Sequence, residues 1–184
     1  RGVDGGTADP AATSVEDYAG DVIDLLDALQ VQDAAIGGLS MGGYVTFAMF
    51  RHAPRYFPGV VLADTRSQAD TPAAIEGRRL MLRLVHEKGA AAVADEMLPQ
   101  LLAESTRKTR PDIVSRVREL VLSNSADAMA GAVAALMTRQ DSTPLLPAIH
   151  CPTLIIVGEQ DVVTPRALSE QMQRAIAGSE LAVV

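Results

Sequence analysis

The arrangement of apolar segments predicts an α/β fold, a parallel sheet with flanking helices and a helical insert. Three observations carry this. Short apolar runs of strand length, at 34–38, 60–63, 153–158 and 181–184, are separated by stretches of helical periodicity. The run Val60-Val61-Leu62-Ala63 contains no polar residue, the composition of a strand in a parallel sheet covered on both faces. The run at 34–38 leads into Gly38-Leu39-Ser40-Met41-Gly42, a serine flanked by glycines between a strand and a helix.

In chain order, residues 1–13 are rich in Gly, Ala and Asp and read as loop. Ser14 opens a helix, with Asp17 placed to complete a capping box. Its apolar face is expected to be Val15, Tyr18, Ala19, Val22, Leu25, Leu26 and Leu29. Glu16, Asp17, Asp21, Asp24 and Asp27 form the solvated side. The strand at 34–38 is expected to be buried. The helix that follows, from Met41 to about His52, is apolar nearly all round, so it is expected to be covered on several sides. Pro54 ends it. After the strand at 60–63 comes Asp64, whose simple reading is a turn residue or helix cap, although ligands of open α/β sheets sit at such strand ends.

Residues 67–143 carry no strand signal and read as several helices. Thr71-Pro72 opens the first, Gly89 breaks it, and a short helix at 90–98 stops at Pro99. Arg107-Lys108-Thr109-Arg110 reads as a solvated inter-helix loop. Pro111 opens a helix with Ile113, Val114, Val117, Leu120 and Val121 at helical spacing. Ser125 caps another, with Met129, Val133, Ala134 and Met137 on one side. The Met, Leu and Ala residues here pack helix on helix or line an apolar pocket. Thr153-Leu154-Ile155-Ile156-Val157-Gly158 is the strongest strand and ends in Glu159-Gln160-Asp161. Thr164-Pro165 opens a helix closing at Gly178, and Leu181 begins a further strand. The domain expectation is a core of 1–66 and 144–184 around a helical cap insert, 67–143.

Bulk properties narrow the function classes. A net charge of -7 argues against a nucleic-acid partner. One cysteine, Cys151, excludes an intrachain disulfide and suits a reducing, cytoplasmic compartment. No apolar run reaches membrane-spanning length, and no membrane partner is expected. Neither a metal-ligand cluster nor a phosphate loop is apparent, so no cofactor is expected.

The serine motif makes a geometric demand. A serine at the tip of a strand-to-helix turn takes strained backbone angles, and side chains at 38 and 42 are expected to collide with neighbouring backbone. The helix N-terminus points free N–H groups at the place where negative charge would develop, with the Met41 N–H as one oxyanion donor.

Gly38-Leu39-Ser40-Met41-Gly42-Gly43, the segment Pro152 to Pro165 with Asp161, and the opening Arg1-Gly2 together resemble the α/β-hydrolase superfamily, nearest to small esterases and lactonases of the 3-oxoadipate enol-lactonase kind. The resemblance covers essentially the whole chain. It implies that Ser40 is the nucleophile, Asp161 the acid of a triad and the Met41 N–H an oxyanion donor, acting on a small-molecule ester or lactone. The superfamily's order is serine, acid, histidine, yet His52, His86 and His150 all precede Asp161. His52 lies roughly 15 Å from Ser40 along its helix, and His150 begins the strand whose far end carries Asp161. His86 reads as a surface or packing residue. The expectation is therefore a fragment without the triad histidine, the second oxyanion donor or the first strands, and with little turnover of its own. Alternatives are C–C bond hydrolysis or cofactor-free perhydrolysis on the same fold, or a non-catalytic ligand binder.

Overall fold

The computed structural model describes residues 13–184. The Arg1-Gly2 pair and the loop expected over the first residues lie outside that range, apart from Thr13. The chain divides into two compact units, one containing 15–69 and 139–184, the other 70–138.

The first unit is built on a four-stranded sheet, β1 (Ile36–Leu39), β2 (Val60–Ala63), β3 (Thr153–Val157) and β4 (Glu180–Val183). The strands are parallel throughout and lie in sequence order β1-β2-β3-β4. The registers Leu39 opposite Ala63 and Ala63 opposite Ile156 bring the carboxyl ends of the first three strands level. Every turn that leaves those ends therefore emerges on one rim. The core is Val60, Leu62, Ile155 and Val157 from the strands, with Phe47, Met49 and Met172 from the helices and Ile176 just past the last helix, all nearly inaccessible. Each such side chain contributes roughly 1.5–3 kcal/mol of hydrophobic transfer free energy.

Helix α1 (Val15–Ala28) packs on α2 (Met41–His52), α2 packs on β1, and α7 (Arg166–Ala175) packs on β3 and β4. The far end of α2 is pinned, Arg51 donating to the Glu16 carboxylate at 3.3 Å and to the Ser142 hydroxyl at 3.1 Å. Arg139, itself buried, lies over the Tyr44 ring at 4.2 Å and donates to the Gln68 carbonyl.

Three expectations for this unit need correction. β1 is an edge strand among the described residues, and only Gly38 of its four residues is buried. Along β2, Val60 and Leu62 are buried while Val61 and Ala63 are only partly so, which means the two faces are covered unequally. In α1 the expected apolar face holds at Val15 and Ala19, but Leu25 and Leu29 are 56% and 64% exposed. Periodicity places those leucines on one side of the helix; only the neighbours decide how far along it that side is covered.

The second unit is helical: α3 (Pro72–Leu101), α4 (Glu104–Thr109), α5 (Pro111–Leu122) and α6 (Ala126–Thr138). Thr71 caps α3, its hydroxyl accepting the Ala74 N–H at 3.2 Å, and Ser125 caps α6 through the Ala128 N–H at 3.1 Å. Gly89 breaks α3 with φ 70° and ψ -170°, backbone angles open essentially to glycine alone. Val85, Val93 and Ala130 form the centre, and Met81, Met97 and Met129 pack against it.

Here too the structure departs from expectation. Pro99 does not stop its helix, which continues to Leu101; so near the end, a proline removes little of the hydrogen-bond ladder. The basic run Arg107-Lys108-Thr109 is the last part of α4, not a loop, with Lys108 paired to Glu104 one turn earlier. On α5, Leu120 is half exposed. On α6 the fully buried residues are Ala128, Ala130, Gly131, Ala135 and Leu136, while the expected Met129, Val133, Ala134 and Met137 are only partly buried. Small side chains let α6 pack closely on α3, so volume rather than hydrophobicity selects the buried face.

Candidate active site

Ser40 stands at the carboxyl end of β1 and is the N-cap residue of α2, with φ 52° and ψ -112°. For a non-glycine residue such angles cost about 1–3 kcal/mol and persist only where surrounding contacts enforce them. The contacts are present. The Ser40 N–H donates to the Ala63 carbonyl at 2.8 Å, while its carbonyl accepts the Gly43 N–H at 3.0 Å and the Thr65 hydroxyl at 2.8 Å. The Ser40 side chain makes no capping hydrogen bond and the residue is exposed. Met41 is the first residue of α2, so its N–H is among the four that a helix leaves without an internal partner.

The glycines act differently from expectation. A Cβ on Gly38 would lie 2.2 Å from the Gly42 carbonyl oxygen, an impossible approach to backbone. One on Gly42 would meet nothing within 4 Å. The second crowded glycine is instead Gly43, where a Cβ would lie 2.3 Å from the Thr65 Oγ1. The first turn of α2 thus passes closely over β1 at Gly38 and over the β2 exit at Thr65. Position 42 faces away from both.

Asp161 lies four residues beyond β3, past the same rim. Its Oδ1 accepts the N–H groups of Val163 at 2.7 Å and Thr164 at 2.8 Å, and its Oδ2 accepts the Thr164 hydroxyl at 2.5 Å. Three donors hold this carboxylate in one orientation. Asp64, at the end of β2, sits between the other two strand ends with φ 41°. Its N–H donates to Ile156 and its Oδ1 accepts the Gly158 N–H, both at 2.9 Å. Burial raises the Asp64 pKa above its ordinary value; the Gly158 N–H opposes this, and the charge and hydrogen bonding of Asp161 add to it.

The histidines lie elsewhere. His52 ends α2, away from Ser40. His86 is an exposed residue of α3, and His150 is exposed just before β3, at the opposite end from Asp161. No group of three or more His, Cys, Asp or Glu able to hold a metal occurs among the described residues.

Sequence reasoning missed Thr65 and undervalued Asp64. Both follow a strand in an ordinary Asp-Thr turn pair. Their partners, the Ser40 carbonyl and the Gly158 amide, are 25 and 94 residues away and leave no local signal.

A parallel sheet with a strained serine between strand and helix, and a fixed carboxylate on the same rim, defines the α/β-hydrolase fold. Residues 5–183 match the family described as serine aminopeptidase, S33, and the chain belongs to it. It is 31% identical over 170 residues to 3-oxoadipate enol-lactonase 2 of Acinetobacter baylyi, covering 92% of this chain and 62% of that one. Among solved structures, a thermophilic esterase from Thermogutta terrifontis matches with TM-score 0.95 and 37% identity, across 100% of this chain and 68% of that one. The enol-lactonase from Burkholderia xenovorans LB400 matches with TM-score 0.88 and 26% identity, over 100% and 69%. The chain thus spans somewhat under two thirds of the length of the curated relative.

Proposed function

We propose that the chain carries the nucleophile and acid of a serine hydrolase acting on a small carboxylic ester or lactone. The observation that carries this is Ser40, held at φ 52° and ψ -112° at the start of α2 on the rim from which Asp161 also emerges. Backbone strain enforced by three hydrogen bonds has no role in packing an exposed side chain, but it presents a hydroxyl to a substrate. The enol-lactonase and esterase relatives support the substrate class.

In this reading an imidazole from outside these 184 residues takes the Ser40 proton as Oγ attacks the carbonyl carbon. Asp161 orients that imidazole and stabilises its charged form. The Met41 N–H and a second donor hold the oxyanion. Collapse expels the alcohol oxygen, which receives the proton from the imidazolium. Water, deprotonated by the same imidazole, then releases the acid and restores Ser40.

A fluorophosphonate probe tests the assignment in a polypeptide that includes the histidine. Labelling mapped to Ser40 and lost in Ser40→Ala is expected. A folded protein labelled elsewhere, or not labelled, refutes the reading. Without the histidine, labelling is expected to fall by about 10³-fold or more, as when a triad base is removed.

A further inference from the structure

Asp64 is the carboxyl group that the proposed mechanism leaves without a task. It stands at the end of β2, between the strand that leads to Ser40 and the strand that leads to Asp161. Its backbone takes φ 41°, and its Oδ1 holds the Gly158 amide. Gly158 is the first residue after β3, and its carbonyl accepts the Asp161 N–H at 3.1 Å. A Cβ on Gly158 would lie 3.8 Å from the Asp161 Cβ and 3.9 Å from the Asp64 Oδ1, so both side chains flank that glycine.

The charge of the one carboxyl also acts on the other. Among the described residues Asp161 is the charged group that helps to raise the Asp64 pKa. Two adjacent carboxyls do not both ionise without a large penalty, and a shared proton resolves the conflict. The side on which the proton rests follows from the donors. Asp64 accepts one hydrogen bond and is partly desolvated, which favours its protonated form, whereas the Asp161 oxygens already accept three hydrogen bonds.

We propose that Asp64 is a positioning residue for Asp161: one of its oxygens fixes the Gly158 turn, and the other, carrying the proton the pair shares, donates to the Asp161 carboxylate. This deepens the hydrolase reading and rests on it for Asp161 as the acid. Above the pH at which Asp64 ionises, the donor is lost and two negative charges face each other.

Asparagine at position 64 is the isostere of the protonated state. Its oxygen still accepts from Gly158, and its amide donates to Asp161 at every pH. Carboxyl carbon NMR on this chain provides the primary test. Asp64 is expected to titrate above the ordinary Asp range, and its midpoint to fall in Asp161→Asn. In Asp64→Asn the Gly158 amide resonance is expected to be retained, because the asparagine oxygen still accepts it. An Asp64 midpoint unmoved by Asp161→Asn, or a Gly158 amide resonance lost in Asp64→Asn, overturns the proposal; circular dichroism checks that each variant is folded.

The pH profile of Ser40 labelling, in the polypeptide that includes the histidine, gives a readout that a purely structural role would not move. The wild type is expected to lose labelling as Asp64 ionises, Asp64→Asn to lack that limb, and Asp64→Leu to label poorly throughout. If Asp64→Asn loses labelling at every pH, Asp64 is itself the acid and the proposal falls. Coupled titrations without any Ser40 labelling remove the hydrolase reading and leave the carboxyl pair standing. Labelling without coupled titrations does the reverse.

Discussion

Alanine substitutions at Gly38 and Gly42 separate the structural account of the serine turn from its sequence pattern, which treats the two glycines alike. At Gly38 the added methyl would sit 2.2 Å from the Gly42 oxygen, 2.3 Å from the Gly42 carbonyl carbon and 2.5 Å from the Gly43 nitrogen. All three are backbone atoms, so no rotamer relieves the overlap. Reaching ordinary contact distance requires the first turn of α2 to recede by roughly 1 Å. That turn is held by the Gly43 N–H and the Thr65 hydroxyl on the Ser40 carbonyl, and by the Thr46 hydroxyl on the Gly42 carbonyl. The cost is expected at the upper end of overpacking, about 3 kcal/mol. At Gly42 the methyl meets nothing, and replacing a helical glycine by alanine is expected to stabilise by about 0.5–1 kcal/mol. For a chain of this size each kcal/mol moves Tm by roughly 2–4 °C, so Gly38→Ala is expected to lower Tm by about 6–12 °C and Gly42→Ala to raise it by about 1–4 °C. Tyrosine fluorescence is a suitable probe, because Tyr18, Tyr44 and Tyr56 all belong to the sheet-containing unit and no tryptophan is present. Equal destabilisation by both substitutions, or tolerance of Gly38→Ala within ~0.5 kcal/mol, the range of an inert surface change, would refute the argument.

Thr65→Val removes the hydroxyl from the Ser40 carbonyl, which keeps only the Gly43 N–H; a loss of about 0.5–1.5 kcal/mol in denaturant titration is expected, with slower Ser40 labelling in the histidine-containing polypeptide. Gly89→Ala places a side chain at φ 70° and ψ -170° and is expected to cost the helical unit about 1–3 kcal/mol, read as earlier loss of far-ultraviolet ellipticity. Folding raises the Asp64 pKa, so its contribution to stability is fully present below the ordinary value of 3.8 and is lost as pH rises through the folded value; in Asp64→Asn that decline with pH is expected to disappear from the stability profile.

The parallel strands, the helix caps at Thr71 and Ser125, the break at Gly89 and the serine turn were legible in the amino-acid order. Each depends on interactions within a few residues, or on an apolar run that suits only one environment. Edges, buried faces and partners were not. Leu25 and Leu29 read as core and are exposed, Gly42 reads as crowded and is open, and α6 buries its small residues more fully than its methionines. Asp64 shows the difference most clearly. By itself it is one more aspartate after a strand. Its hold on Gly158 and its pairing with Asp161 exist only because β2 and β3 lie side by side and end level, bringing together groups more than ninety residues apart. Local periodicity and turn chemistry are written in neighbouring residues, whereas contacts across strands depend on where the whole chain closes.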